Sequence, residues 1–96
     1  MSCYFVAQIR VHDQGEYQKY LDGFSEVFGQ FKGRVVASDQ KPEILEGDWP
    51  HTKTVLIRFP DREEARRWYD SPGYRELMKH RHRAAEADIV LMEGRD

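Results

Sequence analysis

From Cys3 to Val11 apolar and polar positions alternate, with Cys3, Phe5, Ala7, Ile9 and Val11 on one side and Tyr4, Val6, Gln8 and Arg10 on the other. A period of two predicts a strand with one apolar and one mixed face. The spacing then changes to steps of three and four. Tyr17, Tyr20, Leu21, Phe24, Val27, Phe28 and Phe31 form one aromatic-rich stripe, which predicts an amphipathic helix. Asp13-x-x-Glu16 opens it as a capping box, and Gly33 stands where it would end.

Residues 33–39 (GRVVASD) predict a second strand and Glu43 to Glu46 a short third, with a turn at Gln40-Lys41-Pro42. Gly47 to His51 is a loop by composition. Thr52 to Phe59 carries the clearest strand pattern, with Val55, Ile57 and Phe59 on one face, and Pro60 stops it. Asp61-x-x-Glu64 repeats the capping box before a short helix bearing Ala65, Trp68 and Tyr69. Ser71-Pro72 then reads as a fresh N-cap with proline at the first helical position, so two short helices are expected rather than one rod. Tyr74, Leu77, Met78, Arg81 and Ala85 keep helical spacing, and Asp88 to Glu93 closes as a strand.

The order β-α-β-β-β-α-α-β predicts a single α+β domain over residues 1–96, a ferredoxin-like sandwich with the helices on one face of an antiparallel sheet. The other face would stay bare in a monomer although it carries Tyr4 and Val6. Such a face usually marks a partner surface, and a two-fold homodimer is the simplest partner.

Composition narrows the function classes. Basic and acidic residues are interleaved to a net charge of −2, which leaves no broad cationic surface for nucleic acid. The run Lys79-His80-Arg81-His82-Arg83 reads as the cationic end of a helix. Apolar runs are strand-sized, so no membrane span or secretion signal is expected. The lone Cys3 allows no internal disulfide and fits a reducing, cytoplasmic setting, as a small buried hydrophobe. The glycines are scattered, so no phosphate-cradling loop is formed.

Glu46-Gly47-x-Trp49, the strand ending Phe59-Pro60, and Trp68-Tyr69-x-Ser71-Pro72-x-Tyr74 with Arg81 resemble the bacterial family known as domain of unknown function 1330. Tyr17 and the closing strand before Gly94 extend the match nearly end to end. The resemblance implies a dimeric α/β-barrel, in which two ferredoxin-like units close their sheets against each other. Its superfamily includes cofactor-independent monooxygenases, haem-degrading enzymes, muconolactone-isomerase-like enzymes and chlorite-dismutase-like haem proteins, so fold membership implies a pocket and not a reaction. The chain departs from the family pattern at Lys53, where arginine is typical, at Gly33-Arg34, where a double glycine is usual, and at Arg58, where an acid commonly precedes Phe59. Lysine offers a point charge where arginine offers a planar fork.

Arg81 shares the stripe of Tyr74, Leu77 and Met78, so its charge is carried toward the sheet and needs a partner. Glu46 is the natural candidate across the hairpin, with Ser71 and Tyr69 nearby in sequence. Two roles stay open for Arg81: a structural ion pair, or an anchor for an anion at a pocket mouth. Trp68 is expected as core. Tyr17 and Tyr74, each in the first turn of a helix, could present a phenol at the sheet end or simply pack. Trp49 stands in a loop where periodicity does not demand burial, and could lid a pocket. His80 and His82 point roughly 200° apart on a helix and cannot chelate one ion, so no metal site is expected. His12 and His51 are the histidines placed to enter a pocket, where one could be a single axial haem ligand and His12 could also act as a base, or both stand solvated.

The leading expectation is a dimeric small-molecule-binding domain without cofactor, its pocket lined by Tyr17, Trp49, Tyr69, Ser71 and Tyr74, with Arg81, Lys53 and Glu46 as polar members. As an enzyme it would abstract a proton from, or oxygenate, a small organic molecule. Arg81 or Lys53 would hold the anion, and His12 or Glu46 would act as base. The rival expectation is a non-catalytic homodimeric sensing or scaffold module, in which the same polar groups only secure the fold.

Overall fold

A computed structural model describes residues 1–50 and 53–95. The elements run β1 (Cys3–Val11), α1 (Gln14–Phe28), β2 (Arg34–Asp39), β3 (Lys53–Phe59), α2 (Arg62–Tyr69), α3 (Pro72–Ala84) and β4 (Ala85–Glu93). All neighbouring strands are antiparallel, in the order β2-β3-β1-β4. This is the ferredoxin-like arrangement. It puts β1 in the centre, where its alternation decides both faces of the sheet: Cys3, Phe5, Ala7 and Ile9 are buried, while Tyr4, Val6 and Gln8 are half-buried on the side without helices.

Local signals start the helices. The Asp13 carboxylate accepts from the Glu16 amide at 3.1 Å, and Asp61 accepts from the Glu64 amide at 2.8 Å. Ser71 accepts from the Tyr74 amide at 3.2 Å, with Pro72 in the first turn of α3. The break between α2 and α3 therefore falls where Ser71-Pro72 puts it. Trp68, fully enclosed, is the hub on which Phe5, Phe24, Phe28, Phe59 and Tyr74 converge.

Three boundaries differ from the sequence pattern. Helix α1 stops at Phe28, because the amides of Gln30 and Phe31 turn back to the carbonyls of Val27 and Phe28 in a tightened last turn. Gly33 has another duty: a Cβ there would come within 2.6 Å of Phe59 and 2.7 Å of Phe28. Glu43 to Glu46 forms no strand; β2 ends at Asp39, and the exposed segment after it turns at Gly47 (φ 79°). Ala85 belongs to β4 rather than to the helix, since it pairs with Val11 and extends the β1 ladder backward. Of the strand expected from Thr52, the described part begins at Lys53.

Candidate functional site

Helix α3 begins at a fixed point, so its inward positions follow by helical repeat. Tyr74, Leu77, Met78 and Arg81 all face the core. Opposite them, Tyr17 and Tyr20 are the buried residues of α1. Between this helix pair and the sheet lies an apolar cavity of about 190 Å³. Phe5, Ala7, Ile9, Val55, Ile57 and Ile89 form its sheet side, with Val35 and Ser38 at the β2 edge. Tyr17, Tyr20, Leu21, Phe24, Tyr74 and Arg81 form its helix side, and Lys53 completes the lining. An apolar cavity of about 150 Å³ accommodates benzene, so this volume suits a single substituted ring.

Arg81 is only 4% exposed, and its Nε and Nη2 find no hydrogen-bond partner. Its guanidinium carbon lies 5.9 Å from the Tyr20 ring centre. Burial works against its charge, but the adjoining Tyr74 and Tyr20 phenols outweigh this and hold the pKa above its ordinary value. Lys53, half-buried at the start of β3, sets its ammonium 5.1 Å from the Tyr17 ring centre, and burial pushes its pKa down. Neither forms an ion pair with a carboxylate among the described residues. Glu16, the acid between α1 and α3, is committed to His80, Arg83 and Lys19.

The phenols are neutral at physiological pH. Burial pushes Tyr17 up to about 12, and raises Tyr20 and Tyr74 as well. Tyr20 and Tyr74 share a hydroxyl–hydroxyl hydrogen bond of 2.7 Å. The cavity thus offers two uncompensated cations, three neutral phenols and hydrocarbon walls. It can hold an anionic group on an apolar body.

Of the residues the sequence proposed, Tyr17, Lys53, Tyr74 and Arg81 meet in this cavity. Tyr69 stands behind Tyr74, with ring centres 5.6 Å apart, and borders a second groove with Arg62 and Arg66. Ser71 spends its hydroxyl locally, donating to the Trp68 carbonyl at 2.8 Å while capping α3. The expected Arg81–Glu46 pair does not form. Glu46 is exposed in the segment that makes no strand, so no hairpin carries it over the enclosed guanidinium. Trp49 donates from Nε1 to the Thr54 hydroxyl at 3.3 Å, and Thr54 pairs with Gln8 on the sheet face away from the cavity. His12 is exposed at the end of β1 and does not line the cavity, and His51 lies outside the described residues.

Tyr20 and Ser38 line the cavity and were not singled out by sequence. Tyr20 was hidden in the aromatic stripe, because period reports which face is buried and not where a hydroxyl ends. Among the described residues no group of three or more His, Cys, Asp or Glu is placed to hold a metal ion, and no helix is long and apolar enough to cross a membrane.

The chain belongs to the family described as domain of unknown function (DUF1330), whose model matches residues 2–95. No curated protein matches it. Among solved structures it is similar to a protein of unknown function from Rhodopseudomonas palustris, with 18% identity over 99% of this chain and 83% of that one, and a TM-score of 0.84. It is also similar to SnoaB, a cofactor-independent oxygenase from Streptomyces nogalater, at 18% identity over 99% and 94% of the two chains, TM-score 0.71. A dimeric ferredoxin-like protein of unknown function from Thermobifida fusca matches at 13% identity over 98% and 92%, TM-score 0.71. At these identities the likeness is one of fold.

Proposed function

We propose that this protein binds a small organic anion in the cavity between its sheet and the α1–α3 pair, and that it does so as a cytoplasmic homodimer. The observation that carries this reading is Arg81. A guanidinium this enclosed, with two unpartnered nitrogens and no ion-paired carboxylate among the described residues, is costly unless a ligand supplies the missing negative charge. The unfilled space beside it supports binding over a purely structural role.

The chemistry the pocket supports is stabilisation of an organic anion, a demand shared by proton abstraction and by cofactor-independent oxygenation. Proton removal by His12 or Glu46 of the same subunit has no geometric support, since neither lines the cavity. A substrate acidic enough to ionise on binding suits this pocket better. The dimer is supported by the uncovered sheet face, where Val90 and Met92 stay about half exposed beside Val6 and Leu56, and by the dimeric solved structure of the same fold. A thermal-shift panel of aromatic acids, quinols and lactones tests the reading, because a ligand specific to the native state raises its melting temperature. Aromatic acids should raise it in the native protein and not in Arg81→Met. No shift with any acid, or an equal shift in the variant, overturns the proposal.

A further inference from the structure

The cavity holds a second cation that a simple acid would leave unanswered. Lys53 and Arg81 both line it, and among the described residues neither forms an ion pair with a carboxylate. Each lies against a different tyrosine of α1. Lys53 sits against Tyr17 at 5.1 Å and Arg81 against Tyr20 at 5.9 Å, while the two tyrosine rings stand 5.5 Å apart along α1. Two separate positive ends therefore flank one wall of aromatic surface.

We infer that the ligand is bipolar: a flat unsaturated or aromatic body with an acidic group at each end, one on Arg81 and the other on Lys53. This rests on the anion-binding reading and adds the substrate class to it. The two ends differ in kind. Arg81 offers a planar fork in an almost dry site, which suits a carboxylate or an ionised enol oxygen. Lys53 offers a half-solvated point charge at the start of β3, which accepts a second carboxylate, a phenolate or a carbonyl oxygen without strict geometry. Between them Tyr17, Tyr20, Leu21 and Phe24 give the ring its apolar contact. A monoacid would satisfy Arg81 and leave the Lys53 ammonium with only water and the Tyr17 ring face.

Titration calorimetry with three probes of one shape separates the possibilities: benzoate, 4-methylbenzoate as the size-matched monoacid, and benzene-1,4-dicarboxylate. The diacid should bind the native protein at least tenfold more tightly than 4-methylbenzoate. In Lys53→Met that preference should vanish, and Lys53→Arg should retain it. Equal binding of diacid and 4-methylbenzoate to the native protein, or a preference that survives Lys53→Met, overturns the bipolar ligand while leaving the anion site standing. Binding of none of the three overturns both. Lys53→Gln repeats the measurement should the methionine variant fail to fold.

Discussion

Tyr20 on α1 and Tyr74 on α3 join their hydroxyls at 2.7 Å across 54 residues of chain, with their rings edge to face at 6.1 Å. This bond ties the two helices at the cavity wall and sets both phenols beside Arg81. Replacing Tyr20 by Phe leaves the buried Tyr74 hydroxyl without this partner and should cost about 1–2 kcal/mol. The double change Tyr20→Phe with Tyr74→Phe should cost less than the sum of the single ones. Urea melts of the four proteins measure it, and strictly additive losses would show that the bond contributes nothing.

Arg81→Met should leave the fold as stable as the native protein, or more stable by up to about 2 kcal/mol, because it removes a buried charge that no carboxylate among the described residues pairs with. Glu46→Gln should add nothing to it, since Glu46 is exposed and apart from the guanidinium. A loss of about 3 kcal/mol or more in Arg81→Met would identify a structural ion instead.

Gly33 lies where two aromatic rings meet the entry to β2, and a Cβ would overlap both. Phe59 is fully buried and cannot swing away, so Gly33→Ala should destabilise by about 1–3 kcal/mol. A neutral result in denaturant would mean that the rings yield freely.

The bare sheet face should be the homodimer surface. Val6→Glu places a carboxylate at its centre, beside Leu56 and Val90, without touching the helix side. Light scattering should give twice 11.4 kDa for the native protein and a shift toward 11.4 kDa for the variant. A native monomer at micromolar concentration removes the dimer.

Glu16 links the start of α1 to the end of α3, and its bonds to His80 first, then to Lys19 and Arg83, lower its pKa from 4.5 to about 2. Since the folded value lies below the unfolded one, the contribution to stability is complete above about pH 4.5 and is lost as pH falls toward 2. Glu16→Gln should flatten the acid fall of the melting temperature over that window. Unchanged slopes in the two proteins would mean that the cluster is not coupled to folding.

Much of this molecule was legible in the order of its residues. The alternation in β1, the carboxylate caps at Asp13 and Asp61, and the Ser71-Pro72 start of α3 depend on neighbours within a few positions, so local physics decides them. Family membership also followed from residues read in sequence, and Trp68 is the core residue its helical spacing implied. The site depended on more. Tyr17, Lys53, Tyr74 and Arg81 were marked by type and place, but only the packing of α1 and α3 on the sheet brings them around one cavity.

Tertiary structure alone decided the charge balance there. From sequence, Glu46 was the natural counterion for Arg81; in the fold, residues 43–46 form no strand and the carboxylate stays in solvent. Tyr20 became a site residue for the complementary reason. Helical period fixes the face a side chain occupies, while the position of its hydroxyl depends on a helix more than fifty residues away. Local pattern settles where elements begin, end and turn their apolar sides. Which charges are left unpaired is a sum over groups distant in the chain, and only the folded structure performs it.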